Sequence, residues 1–342
     1  MTIKEVARRA GVSTATVSRV LNEKGPIRDE TRQRVRRAVD RLRYVPHGAA
    51  RSLITRRTST VGVILPDIYG EFFSEVIRGI DLAARKSGYH ILVTGSHSDR
   101  RESEAVLRAL RGRVDGMIIM SPDIDAEALE ANLPETLPVV LLNTAVRNGA
   151  WAALGIDNRG AAASVIRHLA GLGHRRIAIV TGPWRNHDAR ERLEGARRAI
   201  RELSLDDSPE LEIEGDFSQE SGYRAGRRIL ELSPRPTAIF AANDSMAIGC
   251  LSALRGAGVQ VPRDIALVGF DDIPTARFLT PPLTTVRVAI APLGERAMLK
   301  LLGALSSRPG RRPRRETLPT TLMVRGSCGS APFPETNEVR TD

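Results

Sequence analysis

From Val61 onward the chain repeats one unit: a short, almost continuously apolar run, then a longer stretch with helical apolar spacing. The runs fall at 61–65, 91–94, 116–120, 139–142, 177–181, 238–241, 265–269 and 284–288. Runs without polar alternation predict strands buried on both faces, and strands joined by amphipathic helices pair in parallel. The region therefore predicts an α/β fold with helices on both sides of its sheets. Its length suits two such lobes.

Ligands of doubly wound sheets sit beyond the carboxyl ends of the strands, which makes the loops there the candidates for a binding cleft. After the first run come Asp67, Tyr69, Phe72 and Phe73. After 177–181 come Asp188 and Arg192, after 238–241 Asn243-Asp244-Ser245, and after 265–269 Phe270-Asp271-Asp272. Aromatic rings stack on apolar faces of sugars or bases, while carboxylates and guanidinium groups take hydroxyls. Structural readings stand beside these: the Phe72–Phe73 pair as a core staple, Asp188 as a helix cap, Trp184 as packing.

The net charge of +11 is concentrated rather than spread. Residues 1–60 hold 15 Lys/Arg against 5 Asp/Glu, whereas the remainder is nearly neutral with 36 against 35. A basic arm on a neutral body predicts a polyanion partner, because neutralising phosphates releases condensed counterions. Thr2 to Glu5 has the form of a capping box and opens a helix with Ile3, Val6, Ala7 and Ala10 at helical spacing. Gly11 supplies a turn, Ser13 caps a second helix over 14–21, and a third runs from Asp29 to Arg43. That arrangement is a helix-turn-helix. The second helix turns Thr14, Ala15, Thr16, Ser18 and Arg19 outward, short side chains with one arginine able to grip guanine.

The segments TIKEVARRAGVSTATVSRVLN and ETRQRVRRAVDRLRYVPHGAARSL resemble the headpiece of the LacI/GalR family of bacterial regulators. The likeness continues through VGVILPD, RVDGMIIM, IDNRGAAA, GHRRIAIVTGP, GDFSQESGYRA, AIFAANDSMAIG, VPRDIALVGFDDI and LTPPLTTVR, over about residues 2–328. The resemblance implies an all-α helix-turn-helix headpiece over 1–46, a hinge helix over 47–57 and a periplasmic-binding-protein-like domain over 58–330. It divides that domain into an N-lobe of about 58–158 and 288–318 and a C-lobe of about 159–287 and 319–328, with a tail over 331–342. Thr14 and Ala15 would be the base-reading pair, supported by Thr16, Ser18 and Arg19, with Thr2, Asn22 and Tyr44 positioning the DNA backbone. In the hinge, Leu53 would wedge into the minor groove beside Ala50, although His47 and Gly48 depart from the family pattern. Phe73, Asp188, Arg192, Phe217, Asn243 and Asp271 match the family's ligand contacts, and Asp157 would organise a lobe crossover. Asn143 and Thr144 stand where the family often carries Asp-Arg.

The expected function is sequence-specific, ligand-controlled repression by a homodimer on a pseudo-palindromic operator in double-stranded DNA. The small-molecule effector is expected to be a sugar. A nucleobase is the alternative, since GDFSQESGYRA also resembles the purine-responsive branch, but Asn186 and Asp188 do not match that branch's polar residues. A solute-binding protein would leave the basic arm unexplained, and a sugar-processing enzyme would have only Asp188 and Asp271 to work with.

No catalysis is expected: HExxH, GxSxG, Walker and strand-bound GxGxxG motifs are absent, and Cys328 has no triad pattern around it. The six histidines show no ligand spacing, so neither metal nor cofactor is expected. With Cys250 and Cys328 far apart, no signal-peptide core and no run of membrane-spanning length, a cytoplasmic protein is expected. Basic residues in 308–315 read as a solvated loop, and a tail without apolar heptads points to a dimer rather than a tetramer.

Overall fold

The structure, a computed structural model, describes residues 1–21, 25–44, 57–97, 99–121, 125–134, 136–144, 146, 151–306 and 315–330. Asn22, Ala50, Leu53, the hinge over 47–56, most of the basic run at 308–315 and the tail lie outside them. Two compact units, Met1–Thr58 and Ser59–Asp342, are each described by themselves.

In the first unit α1 (Ile3–Ala10), α2 (Thr14–Leu21) and α3 (Asp29–Leu42) enclose a small core of Val6, Ala7, Ala10, Val17, Val20, Val35 and Ala38. The Thr2–Glu5 capping box opens α1, with the Thr2 N–H donating to the Glu5 carboxylate at 2.7 Å. Gly11 ends it at φ 62°, left-handed backbone that a side chain would resist, and so makes the sharp turn into α2. Ser13 Oγ accepts the Thr16 N–H at 3.1 Å and caps α2.

The second unit contains two six-stranded sheets. The first is built from β1 (Thr60–Leu65), β2 (His90–Gly95), β3 (Gly116–Ile119), β4 (Val139–Leu142), β5 (Ala152–Ile156) and β11 (Arg315–Leu318), in the order β11-β5-β4-β3-β1-β2. The second takes β6 (Ile177–Thr181), β7 (Glu212–Glu214), β8 (Ala238–Ala241), β9 (Ala266–Asp271), β10 (Thr284–Val288) and β12 (Thr320–Met323), in the order β12-β10-β9-β8-β6-β7. Pairing is parallel except between β12 and β10. The chain passes to the second sheet after β5, back after β10, and across once more between β11 and β12, where Pro319 alone separates the strands. The fold is thus an α/β body of two sheets with an all-helical N-terminal unit.

Helices α4 (Glu71–Lys86), α5 (Arg100–Leu110), α6 (Ala126–Asn132), α7 (Asn158–Gly171), α8 (His187–Glu202), α9 (Gln219–Leu230), α10 (Asp244–Gly256) and α11 (Ile290–Ser306) cover the sheets. Three pairs cross at glycine. Gly79 of α4 lies under the Ala291 carbonyl of α11, Gly195 of α8 under the Arg159 carbonyl of α7, and Gly249 of α10 under the Gln219 carbonyl of α9. A β-carbon at any of them would overlap backbone, so these glycines set how closely the helices approach.

The eight apolar runs all correspond to strands, but four further strands, β5, β7, β11 and β12, carry no such run. The third strand stops at Ile119 instead of residue 120, and the seventh run becomes a strand ending at Asp271 rather than 269. Among the described residues no helix is long and apolar enough to cross a membrane.

Candidate DNA-reading helix and effector cleft

Helix α2 buries Val17 and Val20 against the headpiece core, and that single constraint fixes which side chains face away. Thr14, Ala15 and Arg19 are exposed, and Thr16 and Ser18 are half-buried. The Thr16 hydroxyl shares a 3.0 Å hydrogen bond with Ser13, which ties it to the helix start. Tyr44 is half-buried against the same core, and its N–H donates to the Val39 carbonyl at the end of α3. The result is an exposed short-chain face carrying the exposed guanidinium of Arg19 on a basic unit, suited to entering a major groove.

In the second unit the cleft candidates converge on Arg192. Asn186 caps α8 by accepting the Ala189 N–H at 3.1 Å, so the cap reading of Asp188 does not hold. Asp188 and Arg192, four residues apart, share one face of that helix. Asn158, at the start of α7, bridges them: its Nδ2 donates to Asp188 Oδ1 at 3.0 Å while its Oδ1 accepts from Arg192 Nε at 2.9 Å. Arg192 is only 4% exposed. Its Nη1 donates to the Ala242 carbonyl at 2.5 Å, and its Nη2 lies 3.2 Å from Asp271 Oδ1. Its guanidinium also sits 3.7 Å from the centroid of the Phe270 ring and 5.9 Å from that of Phe217.

Asp271 ends β9 in an unusual backbone conformation, φ 113°, followed by Asp272 at φ 56°. Such conformations cost on the order of 1–3 kcal/mol each and persist where surrounding bonds hold them. The buried carboxylate of Asp244 provides that hold, accepting the Ile273 N–H at 2.9 Å and the Thr285 hydroxyl at 2.6 Å. Gly269 makes room, since a β-carbon there would collide with Asp244 Oδ1. Phe217, at φ 70°, lies over Gly182 in the same way. Asn243 has a structural task at its strand end. Its Oδ1 caps α10 through the Met246 N–H, and its Nδ2 donates to the Phe217 carbonyl at 3.0 Å. Both ends of its amide are therefore already engaged.

Burial shapes the charges here. Asp271 is pushed up to about 6 by desolvation, against the pull of Arg192. Asp188 also rises to about 6, through desolvation and the Glu191 and Asp271 charges, with Arg192 and Asn158 opposing. Asp244 is driven well above the usual carboxylate range by burial and by Asp271. Two carboxylates that titrate near neutrality around one guanidinium can accept hydrogen bonds from hydroxyl or amino groups of a polar ligand.

The contacts above join Asp188, Arg192, Phe217 and Asp271. The candidates of the first sheet stand separately: Phe72 and Phe73 meet edge-to-face at 5.4 Å, half-buried against the core, and Tyr69 is 84% exposed. Asn158 went unpredicted because it starts a helix and meets Asp188 and Arg192 only through the packing of α7 on α8. Among the described residues no group of three or more His, Cys, Asp or Glu could hold a metal ion.

Residues 2–47 match the family model described as bacterial regulatory proteins, lacI family, and residues 166–328 match a periplasmic binding protein-like domain. The chain is 35% identical to the ribose operon repressor of Escherichia coli over 96% of its own length and 99% of the relative's. The chain belongs to the LacI family. The HTH-type transcriptional repressor PurR of Erwinia tasmaniensis is 35% identical, covering 97% of this chain and 98% of that one. CytR of Escherichia coli is 34% identical, covering 97% of both chains. Among solved structures, the lac repressor dimer bound to operator and the anti-inducer ONPF superposes with a TM-score of 0.84 at 28% identity, over 96% of this chain and 99% of that one. A LacI-family regulator from Enterococcus faecium with bound ribose gives 0.71 at 28%, over 80% and 99%. As a LacI-family member the chain is a DNA-binding transcriptional repressor under the control of a small molecule.

Proposed function

We propose that the chain acts in the cytoplasm as a homodimer without enzymatic activity, and that its effector is a sugar bound at Arg192, Asp188 and Asp271. The observation that carries this is the convergence of two carboxylates near pKa 6 on one buried guanidinium at the carboxyl ends of β6 and β9. A ring of hydroxyls offers donors for both carboxylates and acceptors for the guanidinium, while Phe217 offers a face for its C–H groups. The likeness to a ribose operon repressor and to a ribose-bound family structure makes a pentose the first sugar to try, while the equal identity to PurR makes a nucleobase the alternative.

In the headpiece, Thr14 and Ala15 read base edges and Arg19 grips a guanine, with Thr16 and Ser18 supporting them. Thr2, Asn22 and Tyr44 set the backbone register, and Ala50 and Leu53 complete the contact through the hinge. The effector acts by binding one arrangement of the lobes better than the other, since only differential affinity moves such an equilibrium.

Thermal unfolding of the full chain tests the effector. D-ribose at 100 times its dissociation constant adds about 2.7 kcal/mol to the folded state, a rise of several degrees. A shift with D-ribose or another pentose, lost in Asp271→Asn, supports the reading. A shift with adenine, guanine or hypoxanthine alone replaces the sugar by a nucleobase.

A further inference from the structure

A shallow cavity of about 250 Å³ lies where α4 of the first sheet's layer meets the β9–β10 region of the second. Its charged lining is Glu75 and Arg78 from one side and Asp272, Arg277, Arg287 and Arg325 from the other. It is separate from the Arg192 cluster because Asp271 and Asp272, neighbours in sequence, diverge: Asp271 meets Arg192, whereas Asp272 meets Arg287 and Arg325.

The carboxylates of this cavity are already used. Glu75 takes the Nε and Nη2 of Arg78 at 3.0 and 2.5 Å. Asp272 takes Arg287 Nε on one oxygen at 2.6 Å and Arg325 Nη2 on the other at 2.7 Å. Four guanidinium groups against two carboxylates leave a surplus of two positive charges. Arg277 is exposed and rests on the Phe278 ring, 4.7 Å from its centroid. Arg325 is 7% exposed, and its Nε is buried with no hydrogen-bond partner. Its other two nitrogens are held by the Leu283 carbonyl and by Asp272, which fixes this guanidinium as a buried positive charge behind the exposed ones.

The geometry points to a binding site for a small phosphate-bearing anion at this junction, apart from the effector cleft. A phosphate monoester carries close to two negative charges at neutral pH and matches the surplus. Guanidinium groups grip phosphate oxygens in pairs, which sugar hydroxyls cannot reproduce. The cavity is smaller than the range usual for drug-sized ligands, which suits such an anion. Beside it the Glu71 carboxylate accepts from both the N–H and the hydroxyl of Thr275, a contact between the same two layers. An anion bridging Arg78 to Arg277 and Arg287 reinforces that contact, and so biases the relative position of the two lobes.

The test is thermal unfolding and calorimetric titration of the full chain with inorganic phosphate and, separately, D-ribose 5-phosphate, at constant ionic strength held with chloride. Expected is a saturable rise in melting temperature beyond the chloride control, tighter with the ester if the natural ligand is a phosphorylated metabolite. The Arg78→Gln/Arg287→Gln variant should lose the shift, and Arg277→Gln should weaken binding at least fivefold. Arg78 and Arg287 are 56% and 50% exposed, so these variants keep the fold. Arg227→Gln, on the exposed side of α9, should keep the shift. No saturable effect in the wild-type chain overturns the site. So does an undiminished effect in both the double variant and Arg277→Gln, which would place the phosphate on the basic headpiece.

Discussion

Replacing Arg192 by methionine keeps an unbranched apolar stem out to the position of Nε and removes the charged head. Four things are lost together: the bond to Asn158, the bond to the Ala242 carbonyl, the ion pair with Asp271 and the stacking on Phe270. The largest consequence is that Asp271, 5% exposed, is left as a buried charge without its counterion. Breaking a buried pair in this way costs about 3–5 kcal/mol. Asp271→Asn behaves oppositely. The folded-state pKa of Asp271 is raised from 3.8 to about 6, so its contribution to stability is present below pH 4 and is lost as pH rises through 6. At pH 7.5 that ionisation costs the unliganded fold about 3 kcal/mol, two units at roughly 1.4 kcal/mol each. Asparagine removes this cost, so the single Asp271→Asn is neutral to stabilising while it abolishes effector binding.

The double variant Arg192→Met/Asp271→Asn then falls well short of the Arg192→Met loss, with a coupling of about 2 kcal/mol. Urea unfolding followed by tryptophan fluorescence reads the right unit, because both tryptophans, Trp151 and Trp184, lie in the α/β body. At pH 5 Asp271 is protonated in the folded state and the penalty of Arg192→Met shrinks. Additive single losses at pH 7.5, or a loss unchanged between pH 7.5 and 5, would refute the reasoning.

Three other outcomes are expected. Gly249→Ala forces a methyl group into the Gln219 carbonyl at the α9–α10 crossing and costs about 1–3 kcal/mol in the same urea assay, whereas alanine at Gly256, which has open space, costs nothing of the kind. Arg19→Ala weakens operator binding and broadens the motif recovered by selection from random DNA; an unchanged motif would remove Arg19 from base reading. Leu53→Ala loses specific affinity yet keeps salt-sensitive non-specific binding, measured by fluorescence anisotropy at matched salt; equal operator affinity would remove the wedge.

What could be read from the chain follows from where water is excluded. The eight runs found in sequence include the inner strands β1, β3, β4, β8 and β9, whose residues are buried on both faces. Three of the four missed strands lack that signature, and β5, though buried, lacks large apolar side chains. β5 reads AALGI, three small residues in five, β7 is three residues long, and β11 and β12 read RETL and TTLM at sheet edges with partial exposure. The headpiece was legible to the residue at its first cap because the capping box is a local chemical rule. The cleft was legible only in part. Asp188, Arg192 and Asp271 follow from strand ends, but Asn158 joins them through helix packing, which no spacing records. Asn243 was placed correctly at a strand end, yet its amide holds the backbone there.

The three passages between the sheets have a consequence for biosynthesis. The first sheet begins at Thr60 but receives its last strand at Arg315–Leu318, and α4 finds its glycine-crossing partner only in Ile290–Ser306. A ribosome must therefore release nearly the entire polypeptide before that layer can close, although its first half emerged early. The three-helix unit, by contrast, has its buried core residues in place by Ala38 and the side chains packed on them by Tyr44. During translation the nascent chain carries a finished DNA-reading module ahead of a sensor that is still unmade, and neither sheet is complete until the adjoining strands β11 and β12 have emerged.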